Sequence, residues 1–546
     1  GQVSVQNQGT IGTIGDSGVG LLAQSIGGGG GAGANSDSLF VALGGKGASG
    51  GDGGSIEIEL SDGSHITTNG DYAIGLLAHS IGGGGGHGGA AKSVGIFGDV
   101  AIGGEAGQGG DGGTIRVSSQ RHTTWTAGQH AHGMVLQSIG GGGGAGGVAN
   151  SHAYGLIFAV GTATGGKAGP GGDGGAIGPR QDSPPAAIYS RTITNAHDSS
   201  AIILQSIGGG GGLGGAASAK SVALGLGTLD PELAEVPAVG VAIGLGGAAG
   251  VGGQGGAVEH WHVGDLATYG NNSHGIHAQS IGGGGGSGGD GTASSQTVGA
   301  ADLQLNLGFG LGGTAAEGAQ GGTAWLRVGP WSDSPATGDQ TPTSIRTLGH
   351  QSIGVYAQSI GGGGGDAGTG SGFNLSVQFT PEDADDEGAD DTAADDTAAD
   401  DSDTGADSDA DSSAQNTQSD STQADNNAQS LNNDASSSAG ELPDSPNAAP
   451  SNSATENPGG ATGKTFFANA MTCLKKIVGT GNIAKSLANC DAPDSNKPST
   501  KSVTLDINVG RAGAGGGTGG AAKAYLYGRV FTAGTASHGV FAQSVG

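Results

Sequence analysis

One string constrains this chain more than any other feature. QSIGGGGG occurs at Gln24–Gly31, Gln137–Gly144, Gln205–Gly212, Gln279–Gly286 and Gln358–Gly365, with HSIGGGGG at His79–Gly86 and a seventh copy begun at Gln543. Successive copies start 55, 58, 68, 74, 79 and 185 residues apart. Removing the 120 residues Pro381–Thr500 from the last spacing leaves 65, in line with the others. A second Gly-rich motif alternates with the first. It reads GGKGASGGDGG at Gly44–Gly54, GGEAGQGGDGG at Gly103–Gly113 and GGKAGPGGDGG at Gly165–Gly175, with looser copies at Gly246–Gly256, Gly312–Gly322 and Gly510–Gly520. Repeats of this period mark architectures in which each unit buries its apolar face only against its neighbours.

The segments between the Gly motifs read as short strands. Ser55–Leu60, SIEIEL, and Thr114–Ser118, TIRVS, alternate apolar and polar residues, and no helical period runs through the repeats. Gly is 125 of 546 residues, against a usual share of about 7%. No Gly-X-Y register appears, which excludes collagen. Aromatics are only 4%, and the apolar residues are mostly Ala, Val, Ile and Leu, which suits a thin core shared between stacked units. The fold expected is all-β: a repetitive β-solenoid of the parallel β-helix kind with Gly-rich corners. The Gly runs read either as corners needing positive φ or a tightly packed backbone layer, or as extended polyglycine segments lying side by side. The first is the preferred reading.

Stacking of equivalent units predicts two columns. Ile26, Ile81, Ile139, Ile207, Ile281 and Ile360 would form an apolar column. Gln24, Gln137, Gln205, Gln279 and Gln358 would form a ladder of side-chain amides, interrupted at His79.

The domain plan that follows is residues 1–380 as repeats, 381–463 as an acidic disordered insertion, 464–500 as a small helical hairpin, and 501–546 as a continuation of the repeats. The formal charge is −29, and 21 of the 48 acids lie between Glu382 and Glu456, a stretch without Lys or Arg. In Lys464–Cys490 the residues Phe466, Phe467, Ala470, Leu474 and Ile477 follow a helical period, and a Cys473–Cys490 disulfide would staple the hairpin in an oxidising compartment. This insertion and Thr228–Pro237 interrupt the same point of the repeat. A second insertion point carries Gly178–Ala187 and Gly329–Pro342. Insertions confined to defined loops of a repeat mark a presenting face.

Residues that could carry chemistry are few. His130 with His132, and His260 with His262, would each put two imidazoles on one strand face, but no further ligand stands at zinc spacing. The GGDGG strings suggest calcium, yet Gln254, Gln320 and Thr518 replace Asp52, Asp111 and Asp173. Trp125, Trp261 and Trp325 follow the second motif and could form a sugar-stacking stripe or pack against a loop. Thr67–Thr68 and Thr123–Thr124 do not recur, which leaves an ice-binding threonine array unsupported. No nucleophile–base arrangement is present, so the expectation is a protein that is not an enzyme, with no catalytic, cofactor or metal residue. With so few basic residues, nucleic acid is not an expected partner.

The strings GLLAQSIGGGGG, AIGLLAHSIGGGGG and GIHAQSIGGGGG resemble the passengers of large Gly-rich autotransporter-like surface proteins of Gram-negative bacteria, over Gln2–Phe379 and Ser502–Gly546. The resemblance implies a β-solenoid passenger, export to the cell surface or medium, anchoring through an outer-membrane barrel not contained in this segment, and adhesion, aggregation or biofilm roles. The partners it implies are host-cell or matrix glycans or proteins, or further copies of the chain. Asn272-Ser273-His274-Gly275 is faintly similar to the short motifs of trimeric adhesin heads, whose repeat is much shorter. A secreted polysaccharide-active enzyme and a receptor-free extracellular scaffold are the alternative functions.

Overall fold

The computed structural model describes residues 1–179, 187–330, 343–377 and 501–546. The chain divides into two units, Gly1–Glu382 with Pro498–Gly546, and Asp383–Lys497. The acidic stretch, the expected helical hairpin, Cys473 and Cys490 all lie outside the described residues.

Five strands make up the first repeat: β1 (Val3–Asn7), β2 (Thr10–Ile14), β3 (Leu21–Ile26), β4 (Ser36–Leu39) and β5 (Val41–Leu43). The same five positions recur in order through the sixth repeat, and the first three again in the seventh. Each strand pairs in parallel with its counterparts in neighbouring repeats. The β3 positions build a seven-stranded sheet and the β4 and β5 positions six-stranded sheets. The β1 and β2 positions form one 14-stranded sheet, joined where Ile188 and Tyr189 pair with His262 and Val263. The fold is therefore all-β with parallel sheets. Among the described residues the helices are two 3-10 turns, Leu226–Thr228 and Pro231–Leu233.

The alternating strands expected from sequence fix which side is buried. In Ile56–Leu60, the β1 position of the second repeat, Ile56, Ile58 and Leu60 turn inward and Glu57 and Glu59 outward. With Ile66 and Leu76 they join an apolar core enclosed by the β1, β2 and β3 positions. The β4 and β5 positions enclose a second interior of a different kind. It holds Ala42, Ala91, Ala101, Ala149, Ala163 and Ala242, and glycines where a Cβ would meet the opposite strand. The strands of this lobe lengthen along the repeats. The β4 positions run 4, 6, 7, 8, 8 and 8 residues, and the β5 positions 3, 5, 7, 8, 9 and 9.

The Gly runs are not corners; of the preferred reading it is the tightly packed backbone layer that the structure shows, built from extended chains. Glycines with positive φ are Gly15, Gly63, Gly264, Gly299 and Gly329, and none belongs to a run. The runs are extended segments with a three-residue hydrogen-bond period, that of polyproline-II chains. The amides of Gly27, Gly30 and Gly33 donate to the carbonyls of Ile81, Gly84 and His87 in the next repeat. The returning run after β5 does the same, with Gly44, Gly47, Gly50 and Gly53 donating to Ile102, Glu105, Gln108 and Asp111. A second amide of each triplet crosses to the opposing run, as Gly51 does to Gly28 and Gly83 to Gly51, both at 2.8 Å. Two positions in three must then be glycine or very small. A Cβ on Gly82 or Gly83 would collide with the carbonyl of Gly110 or Gly28, whereas at Gly84 the nearest atom is 3.9 Å away. Side chains emerge only at the third position, as at Lys46, Ser49 and Asp52. A local triplet register is thus present in GGK-GAS-GGD, although none runs through the whole chain.

A left-handed corner recurs in every repeat between β2 and β3, and non-glycine residues hold it. Ser17, Tyr72, His130, Asp198, Asn272, Gln351 and Ala536 all have φ between 51° and 59°. Beside it a threonine recurs in every repeat, in register: Thr13, Thr68, Thr126, Thr194, Thr268, Thr347 and Thr532. The expectation that Thr67–Thr68 has no counterpart in other repeats holds for the pair but not for Thr68, because the residue before the recurring threonine varies. In the middle repeats it is fully buried, and Thr126 Oγ1 donates to the carbonyl of Ala131 at 2.6 Å. In those repeats it closes the corner and presents nothing to solvent.

Candidate binding surfaces

The outward face of the β3 sheet carries the motif's own residues. In Leu76–Ile81, Leu76, Ala78 and Ser80 point inward, and Leu77, His79 and Ile81 outward. Gln137 Nε2 donates to Gln205 Oε1 at 2.6 Å, Gln205 to Gln279 at 2.8 Å, Gln279 to Gln358 at 2.7 Å and Gln358 to Gln543 at 2.7 Å. His79 pairs in register with Gln24 and with Gln137. Burial lowers its pKa and the adjacent Gln137 side chain opposes that shift. Ile26, Ile81, Ile139, Ile207, Ile281 and Ile360 are register neighbours throughout. Their column lies on the outer surface, with Ile26 59% exposed.

The column on the other side of the ladder turns from aliphatic to aromatic along the repeats: Leu22, Leu77, Val135, Ile203, His277, Tyr356 and Phe541. His277 and Tyr356 stack with centroids 4.4 Å apart, and Phe541 meets Tyr356 edge-on at 5.0 Å. Burial, with smaller contributions from His274 and His132, pushes the pKa of His277 down to about 3. The signal for this cluster was present two residues before each motif glutamine.

The serine of QSI has a role that the repeat alone did not reveal. Ser138 Oγ donates to the Gly113 carbonyl at 2.8 Å and accepts the Gly175 amide at 2.8 Å. Ser80, Ser206 and Ser280 do the same in their own repeats. Each hydroxyl pins the β3 sheet to two successive returning runs.

The paired histidines do not converge on a metal. His130 occupies the left-handed corner and stacks on Tyr72, while His132 Nδ1 accepts the Ser200 amide at 3.0 Å. His260 and His262 sit in the β1 sheet at the positions of Leu326 and Val328, 1% and 0% exposed, their rings 5.9 Å apart. Burial pushes their pKa values down to about 3 and about 4. No cluster of three metal-ligating side chains occurs among the described residues. The Asp residues of GGDGG cap backbone: Asp52 Oδ1 accepts the Asp111 amide, Asp111 that of Asp173, and Asp173 that of Gln254. The tryptophans form no stripe. Trp125 is on a β2-position strand, while Trp261 and Trp325 are on neighbouring β1-position strands. Trp261 is buried, donates to the Gly329 carbonyl at 2.8 Å and lies 4.9 Å from the Arg327 guanidinium.

The β4–β5 lobe has its larger side chains on the outside. Inside, Asp99 is buried and accepts from Ser93 Oγ, Ser151 Oγ and the His152 amide at 2.7, 2.7 and 2.8 Å. Outside, the β4 sheet mixes polar residues such as Asp37, Lys92, Asn150 and Ser218 with exposed Val94, Ile96, Tyr154 and Phe373. The β5 sheet presents a column of Val41, Val100, Thr162, Ile243, Phe309 and Ile507, apolar but for Thr162. Next to it runs Leu43, Ile102, Thr164, Leu245, Leu311 and Val509.

Comparison with family models, with curated proteins and with solved structures finds no match to this chain. Among the described residues no helix is long and apolar enough to cross a membrane.

Proposed function

We propose that the chain is a β-solenoid segment of a secreted or cell-surface protein of the autotransporter-like kind, acting as a structural and adhesive scaffold. The observation that carries the solenoid reading is the one-to-one register of the β3 strands, in which Gln137, Gln205, Gln279, Gln358 and Gln543 are successive partners. Parallel pairing between repeats 68 to 185 residues apart is what a coil that closes once per repeat produces. The function follows from where variation is allowed. The Gly runs, the serine pins and the corners are held constant, while insertions enter between β4 and β5 and between β1 and β2.

In this reading the scaffold positions those loops toward cells, matrix glycans or other copies, and carries no catalytic centre. The test is expression of the full-length gene product in a Gram-negative host, with protease shaving of intact cells and a cell- and glycan-binding assay. Surface cleavage, and binding lost when Thr228–Pro237 and Pro381–Thr500 are trimmed to short turns, are expected. Retention inside the cell, or glycan turnover abolished by one acidic substitution, would overturn the proposal in favour of a cytosolic protein or a secreted enzyme.

A further inference from the structure

We infer that the outward face of the β5 sheet is a self-association surface, covered by the same face of a second copy. This deepens the scaffold reading by naming one partner and the surface that meets it. From the column of Phe158, Val239, Leu305 and Val503 to that of Leu43, Ile102, Thr164, Leu245, Leu311 and Val509, every outward residue is Val, Ile, Leu or Phe except Gly98, Thr162 and Thr164. The inward positions of the same strands are Ala and Gly in Ala238–Leu245, which reverses the usual placement of large apolar residues. Phe158 and Val41 are 46% and 54% exposed. A contiguous apolar surface of this kind marks an interaction site.

Three observations select a second copy as the occupant. The first is area. Strands of 3 to 9 residues, at about 3.3 Å per residue and about 4.8 Å between strands, give roughly 650 Å² per face. A face-to-face pair then buries roughly 1,300 Å², within the range of stable protein pairs, about 1,200–2,000 Å². The second is geometry. The side chains form straight columns with one residue per repeat, a corrugation that another parallel sheet of the same repeat matches, and sheets pack face to face in this way about 10 Å apart. The third is charge. The chain carries −29 overall, and this face, free of charged residues between those columns, lets two acidic molecules meet without facing like charges.

The experiment is sedimentation equilibrium of the full 546-residue chain from 1 to 100 µM, compared with Val241→Lys/Leu307→Lys, with the milder Val241→Thr/Leu307→Thr, and with Ser218→Lys on the outward β4 face. Circular dichroism of each variant checks that the sheets persist. The expected result is a dimer for the parent and for Ser218→Lys, at least 50-fold weaker association for the Lys pair, and an intermediate loss for the Thr pair. A parent that stays monomeric to 100 µM, or a dimer indifferent to both pairs, overturns the inference. So does binding of the parent to phosphatidylcholine vesicles that both pairs abolish, which would assign the face to lipid. A monomer that is nevertheless surface-exposed and adhesive on cells would leave the scaffold function standing.

Discussion

Gln137 and Gln205 are separated by 68 residues of chain, yet the amide of one lies 2.6 Å from the carbonyl oxygen of the other. They are adjacent rungs of a ladder in which each side chain donates to the next and accepts from the one before. Such a column ties repeat to repeat outside the backbone and penalises any slip of register. Replacing Gln205 by Leu breaks two rungs and should lower stability by about 1–2 kcal/mol. His79→Gln should act in the opposite sense by joining Gln24 to the ladder, raising stability by about 0.5–1.5 kcal/mol. Urea denaturation of both variants checks the pair, and equal midpoints would show that the ladder contributes nothing.

Adjacent glycines of one run should respond with opposite signs. At Gly83 a Cβ meets the backbone of Gly28 and Gly27, so Gly83→Ala should cost at least about 1–3 kcal/mol. At Gly84 the nearest atom is 3.9 Å away and φ is not positive. There Gly84→Ala should be neutral or stabilising by about 0.4–1 kcal/mol, through the lower entropy of the unfolded chain. Thermal melts of the two variants decide the matter; similar losses at both would contradict the extended packing of the runs.

Ser138→Ala removes the hydroxyl that joins the Gly113 carbonyl to the Gly175 amide at a site without solvent exposure. Leaving both groups without their partner should cost about 1–3 kcal/mol. Hydrogen exchange should show the Gly175 amide losing protection well before the neighbouring β3 amides do.

Acid should weaken the fold before the carboxylates titrate. Burial holds His260 and His277 at pKa values of about 3, and His122, His132 and His262 at about 4. An unfolded histidine titrates near 6.5. Below that pH the unfolded chain binds protons that the folded chain does not. Stability is therefore complete above about pH 6.5 and declines as the pH falls toward 4. At pH 5 each fully buried histidine costs on the order of 2 kcal/mol. His260→Leu/His262→Val, which copies Leu326 and Val328 of the next repeat, should flatten the pH dependence of the urea midpoint between 7.5 and 5. An unchanged slope would mean that these rings are solvated.

The parts of this fold that were legible in the sequence are those in which side chains repeat at a fixed offset. The QSI strings located the β3 strand, and the alternation in SIEIEL showed which side of its strand is buried. The interruptions at Thr228–Pro237 and Pro381–Thr500 marked one insertion point. The recurring threonine and the aromatic column were equally periodic, but the residues around them vary, which concealed them.

What the sequence by itself determined is the register, because identical residues at one offset pair best with one another and a slip would turn buried side chains outward. Only the tertiary structure decided the form of the Gly runs. A glycine has no side chain with which to prefer a corner or an extended chain, and the choice falls to the antiparallel run that approaches within hydrogen-bonding distance. Tertiary structure likewise decided that the valines and leucines of β5 face out. Alternation separates two faces of a strand, but which one meets another sheet depends on where that sheet lies, and here the closely packed β4 sheet admits only Ala, Gly and hydrogen-bonded polar residues between them.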